Sequence, residues 1–231
     1  MSTLTKTLLA AAGTLALLAP AALAQDDCDE CEAPALRSHI VIDQIHTGHL
    51  TSDMDVTLTD TVDTASASAI TTGNSANGLL ATGDLDYDAT QQMDGDANSS
   101  ASITGGTVTG AAVTTATAYG NASNAGTWMG NSYAQSDQTM NGDTTAATEI
   151  ALMGAGSVAS ASTAIANVAA TSGEFGDNMA FQTQASNGSV TATTDADFCC
   201  VGATAAIATT AGGNSITSTG STTTSIQGAV Q

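Results

Sequence analysis

Gln44, Gln91, Gln138 and Gln184 each stand four residues before a glycine, namely Gly48, Gly95, Gly142 and Gly188. The steps between these glutamines are 47, 47 and 46, and Gln231 lies one further step of 47 along. A second marker keeps the same interval: Gly73-Asn74, Gly120-Asn121, Ala166-Asn167 and Gly213-Asn214. A period of this length signals stacked units, each able to bury its apolar face only against its neighbours. A chain built this way works through a surface, through a stack, or through both.

Within one period the residues alternate. Two places after the marker glycine come Leu50, Ala97, Thr144 and Val190; eight places after it come Val56, Ile103, Ile150 and Ala196; ten places after it come Leu58, Gly105, Leu152 and Phe198. The odd place seven holds Asp55, Ser102, Glu149 and Asp195, polar in every copy. Alternation with one apolar face marks half-buried strands. Gly48, Gly73, Gly95, Gly120, Gly142, Ala166, Gly188 and Gly213 also define a weaker half-period of 22 to 25 residues. The expected fold is all-β: a β-solenoid of four ~47-residue repeats over residues 44–231, each repeat supplying two strand layers. Eight layers at ~4.8 Å each predict a stack on the order of 35–40 Å long.

Residues 1–24 read as a secretory signal peptide, with Lys6 in the charged start, an apolar run at residues 8–18, Pro20, and Ala22-Leu23-Ala24 before the cut. The run is well short of the ~20 residues a membrane span needs. Export is therefore expected, with a Cys-containing segment at residues 25–43 preceding the repeats. Cleavage leaves Arg37 alone against 22 acidic residues. Such a surface repels nucleic-acid phosphates and anionic membranes, so nucleic acid is excluded as a partner. Aromatic residues make up only 3% of the chain, and the rest is largely Ala, Thr, Ser and Gly. That composition fits either disorder or a thin stack held by backbone hydrogen bonds, and the period favours the stack.

Asn74, Asn121, Asn167 and Asn214, stacked in register, would form an amide ladder, and Gln44, Gln91, Gln138 and Gln184 a second one. The other reading makes them turn residues, since asparagine tolerates left-handed backbone angles. Cys28 and Cys31 form a Cys-x-x-Cys, and Cys199 and Cys200 are adjacent. In an exported chain these four favour disulfides, either joining the N-terminal pair to the last repeat or linking Cys28 to Cys31. His39, His46 and His49 fit no structural zinc spacing and read as a polar entry segment. Asp84, Asp86, Asp88, Asp94 and Asp96 are spaced to share a strand face; calcium chelation is one reading and solubilising charge the favoured one. No metal site, cofactor or nucleophile motif is called for, and an enzyme is not expected.

Residues 115–123 (TATAYGNAS) and 136–143 (SDQTMNGD) resemble repeat signatures of the holdfast anchor protein D family of stalked and budding alphaproteobacteria. Residues 129–138 (MGNSYAQSDQ) resemble curlin repeats more loosely. The family resemblance implies a secreted protein at the outer-membrane surface that helps fasten a polysaccharide adhesin to the envelope, beside a curlin-like companion and a secretion pore. Self-association into oligomers or filaments through open end strands is the expected mode of action. Two alternatives are a calcium-dependent adhesin and an ice-binding solenoid, the latter drawing on Thr57/Thr59, Thr107/Thr109 and Thr191/Thr193 if these pairs align between layers.

Overall fold

A computed structural model describes residues 37–230. The signal peptide, Cys28, Cys31 and Gln231 lie outside the described residues. The described chain is all-β: β1 (Arg37–His46), β2 (Leu50–Leu58), β3 (Ala65–Thr82), β4 (Asp84–Met93), β5 (Ala97–Met129), β6 (Ser132–Met140), β7 (Thr144–Ser186), β8 (Val190–Phe198) and β9 (Val201–Val230). All nine join one parallel, curled sheet.

Pairing follows the sequence interval. Leu50 lies beside Ala97, Ala97 beside Thr144, and Thr144 beside Val190. The chain thus winds past itself along three faces. β1, β4, β6 and residues 178–186 of β7 form the first. β2, residues 97–105 of β5, residues 144–152 of β7, and β8 form the second. β3, residues 112–129 of β5, residues 157–173 of β7 and residues 204–220 of β9 form the third, which spans the length of the other two together.

Two layers per repeat is therefore a correction to make. Gly48 and Gly73 do not lie over one another; Gly48 follows β1 on one side of the coil and Gly73 lies within β3 on the other. The half-period arises because both halves of one repeat face each other across a narrow interior. Asn74 Nδ2, for example, reaches the carbonyl oxygen of Gln92, only 18 residues on. With one turn per repeat, the rise is ~4.8 Å per repeat and the described stack is about 20 Å tall.

Small residues make the narrow interior workable. Ala101, Ala112, Ala116, Ala146 and Ala164 surround Ile103 and Ile150 in the larger apolar cluster. Tyr87, Leu85, Ala89, Ala125 and Ala134 fill the smaller one. Asp55, Glu149 and Asp195 at the odd place all point outward. Between the clusters sit Met93 and Met140, opposite the Gly-Asn marker. A Cβ on Gly73 would collide with Met93 Sδ, and one on Gly120 would lie 2.6 Å from Met140 Sδ. The third copy carries Ala166 instead of glycine. Its strand partner series runs Met93, Met140, Ser186, so the bulky thioether is gone where the extra methyl enters.

The last turn departs from the interval. Gly173 pairs with Gly220 but Asp177 pairs with Thr222, so the final corner is two residues shorter than the one before. Gln184 consequently lies beside Ala229 rather than at the level of Gln231. An even shift leaves each side chain on its original face, and this is why the strand continues without inverting.

Candidate functional site

The marker residues gather into two columns. Asn74 Nδ2 donates to Asn121 Oδ1, Asn121 Nδ2 to Asn167 Oδ1, and Asn167 Nδ2 to Asn214 Oδ1, each at 2.8 Å. The same nitrogens of Asn74, Asn121 and Asn167 also donate across the interior to the carbonyl oxygens of Gln92, Thr139 and Ala185. In the other column Gln91 Nε2 donates to Gln44 Oε1 at 2.8 Å, Gln138 Nε2 to Gln91 Oε1 at 2.7 Å, and Gln184 Nε2 to Gln138 Oε1 at 2.6 Å. Gln44, Gln91, Gln138 and Gln184 bond across to Ser75, Ala122, Val168 and Ser215. Asparagine amides donate toward the later copy and glutamine amides toward the earlier one.

These side chains are buried in the middle of the stack, with Asn121, Asn167 and Gln184 at 0% exposure. A buried amide must find partners or cost free energy. A column of identical amides supplies donor and acceptor to each inner member, while Gln184 Oε1, beside Ala229 at the end of its column, has no hydrogen-bond partner among the described residues. The chemistry is structural: neutral amides, no proton to transfer, no open coordination position.

Other singled-out residues are dispersed. Cys199 and Cys200 are exposed free thiols with sulfurs 2.9 Å apart, and the contact with Cys199 raises the Cys200 thiol above its ordinary value. His39 pairs with Asp86 at 3.1 Å and His49 with Asp96 at 2.9 Å. Asp86 also lies 3.9 Å from Arg37. Among the described residues no group of three or more His, Cys, Asp or Glu converges in a way that would hold a metal ion. The threonine pairs do not align: Thr57 lies beside Thr104, Thr107 beside Gly154, and Thr193 beside Ala147. The flat threonine array required for ice binding is absent from these positions, because the pairs fall at different places in the repeat.

One feature escaped the sequence reading. Trp128 and Phe175 lie with ring centroids 6.2 Å apart, and Tyr133 and Phe181 with centroids 5.5 Å apart. The pairs flank the corner at Gly130 and Gly176, where both glycines take positive φ. Beside Trp128 a hollow of about 800 Å³ is lined by Leu79, Leu80, Thr127, Ser172, Glu174 and Thr219. The signal was available, since Trp128 and Phe175 are one repeat apart and Tyr133 and Phe181 nearly so.

With this geometry in place, comparison with protein families shows that the family model for holdfast attachment protein D matches residues 59–231. The chain belongs to that family. Comparison with curated proteins and with solved structures gave no match. Membership of the holdfast attachment protein D family carries a role in attaching the holdfast, and with it a place at the cell surface or envelope.

Proposed function

We propose that this chain is an exported, non-enzymatic anchor subunit, a β-solenoid of four repeats that helps hold a polysaccharide adhesin to the outer-membrane surface. It acts by self-association and by binding envelope partners through the ends of its stack. The observation that carries this reading is the state of the last turn. Ile207 occupies the inward place held in earlier turns by Ala67, Thr114 and Ser160, which are 2%, 1% and 3% exposed, yet Ile207 is 52% exposed. No further turn lies over it among the described residues. β8 likewise pairs only with β7 in that set, leaving one edge of backbone donors and acceptors for another chain. An uncovered parallel edge next to an uncovered apolar interior is a template for strand addition.

The acidic surface supports the same reading by keeping lateral faces apart, so that association is directed to the ends. Sedimentation of the exported chain with and without Ile207→Glu tests this. SDS-resistant multimers or short filaments are expected for the parent chain, and a shift toward monomer for the variant. Monodisperse monomer at high concentration for the parent chain would count against self-association. Deletion of the gene, followed by microscopy of adhesin shed from cells, tests the anchoring role separately.

A further inference from the structure

We propose that the aromatic corner around Trp128 and Phe175 is a glycan-binding site that takes a neutral, ribbon-like polysaccharide. The proposal rests on the reading of the chain as a polysaccharide anchor, and it names the surface that does the holding. The chain has one tryptophan, three tyrosines and three phenylalanines. Four of these seven rings form two pairs, one on each side of a single corner, with Trp128 52%, Phe175 63% and Tyr133 40% exposed. A surface otherwise dominated by threonine, serine and acidic residues gains no solubility from exposed paired rings such as Trp128 and Phe175, which suit a ligand with an apolar face.

The chemistry selects the ligand. Backbone groups at this corner are already used along the stack: Gly83 N–H donates to the Met129 carbonyl, and Gly130 N–H to that of Phe175. A peptide strand therefore finds no edge to extend here, in contrast to the ends. What the corner offers is ring faces and the exposed hydroxyls of Ser172 and Thr219 beside a hollow of about 800 Å³. Ring faces stack on the C–H faces of equatorially linked sugars, and side-chain hydroxyls meet sugar hydroxyls. The formal net charge of −20 disfavours a polyanionic chain. A second copy of this chain is disfavoured as occupant for the same electrostatic reason.

Trp128, the only tryptophan, reports on the site directly. The exported chain is titrated with neutral β-1,4-linked hexasaccharides of glucose, xylose and N-acetylglucosamine, and with polygalacturonate, while tryptophan emission is followed. The expected result is a saturable emission change with at least one neutral hexasaccharide and none with polygalacturonate. Affinity electrophoresis in gels holding the matching polysaccharide then compares Trp128→Ala, Phe175→Ala and Trp128→Phe. Losing one stacking ring should weaken binding about tenfold or more, with partial recovery in Trp128→Phe. Thermal melting of the same variants separates lost binding from lost fold. Absence of any emission change, preference for polygalacturonate, or unaltered retardation of a folded Trp128→Ala overturns the proposal. In cells, a folded Trp128→Ala, Phe175→Ala double variant that restores adhesin retention to the deletion strain overturns the site alone. Full retention in the deletion strain itself overturns the anchoring reading beneath it.

Discussion

Replacing Asn121 by alanine tests whether the amide columns hold the stack together. Asn121 is fully buried, accepts from Asn74 Nδ2, and donates to Asn167 Oδ1 and to the Thr139 carbonyl. Asn74 Nδ2 keeps a partner in the Gln92 carbonyl, so its loss is small. The Thr139 carbonyl and Asn167 Oδ1 each lose a donor in a dry interior, at ~1–3 kcal/mol per orphaned group. The expected destabilisation is about 3–5 kcal/mol. Asn214→Ala supplies the contrast. It removes the acceptor for Asn167 Nδ2, which retains the Ala185 carbonyl, and a long 3.4 Å hydrogen bond to the Gln184 carbonyl, at a half-buried place in the last turn. About 1 kcal/mol is expected there. Asn121→Leu keeps most of the volume without the amide and should cost about as much as Asn121→Ala, which separates the bonds from the cavity. Urea denaturation followed by circular dichroism measures all three. In a stack with nearest-neighbour coupling, the central break should also broaden the transition. Equal losses at positions 121 and 214, or a loss below about 1 kcal/mol at 121, would refute the reasoning.

Gly142→Ala drives a Cβ into the Gly95 carbonyl of the turn above, whereas Gly212→Ala meets nothing within 4 Å. Thermal melts should show about 1–3 kcal/mol lost in the first and almost none in the second. Burial raises the Tyr87 phenol above its ordinary value of 10.0, partly offset by the hydrogen bond to Ser123. A raised folded value gives stability that is intact below pH ~10 and lost as pH climbs toward the folded value. Alkaline denaturation should therefore be shallower in Tyr87→Phe. Hydrogen bonds from Asn141 and then Gln92 hold the Asp94 carboxyl below its ordinary value of 3.8. Its contribution is present above that value and disappears as pH falls through the folded one, so acid melts of Asp94→Asn should lose less than those of the parent chain.

The positions at which equivalent side chains meet could be read from the chain because backbone pairing between turns depends only on the residues per turn. Gln44, Gln91 and Gln138 recur at 47, and 47 is the separation of their hydrogen-bonded amides. Cross-section was harder to read. Gly73 repeats half a period after Gly48 for a steric reason, its closeness to Met93, and nothing in the spacing distinguishes a second layer from a facing wall. The replacement of glycine by Ala166 in the third marker goes with Ser186 replacing methionine on the facing wall, a relation visible only once the walls are opposed. The aromatic corner was missed because its rings are few and polar residues surround them. Periodic bulk drew attention to the interior, and the corner's own period of one repeat went unused.

The two amide columns point their N–H groups in opposite senses along one axis. Side-chain dipoles of the two rows therefore largely cancel, and length can be added without accumulating a field between the tips. The tips themselves are unlike: at the first turn Asn74 ends its row on an oxygen and Gln44 its row on a nitrogen, whereas the last turn carries Asn214 but sets Ala229 beside Gln184, so the glutamine row stops one turn short. Only the asparagine row runs the full height of the described turns, and its N–H groups give that height a direction.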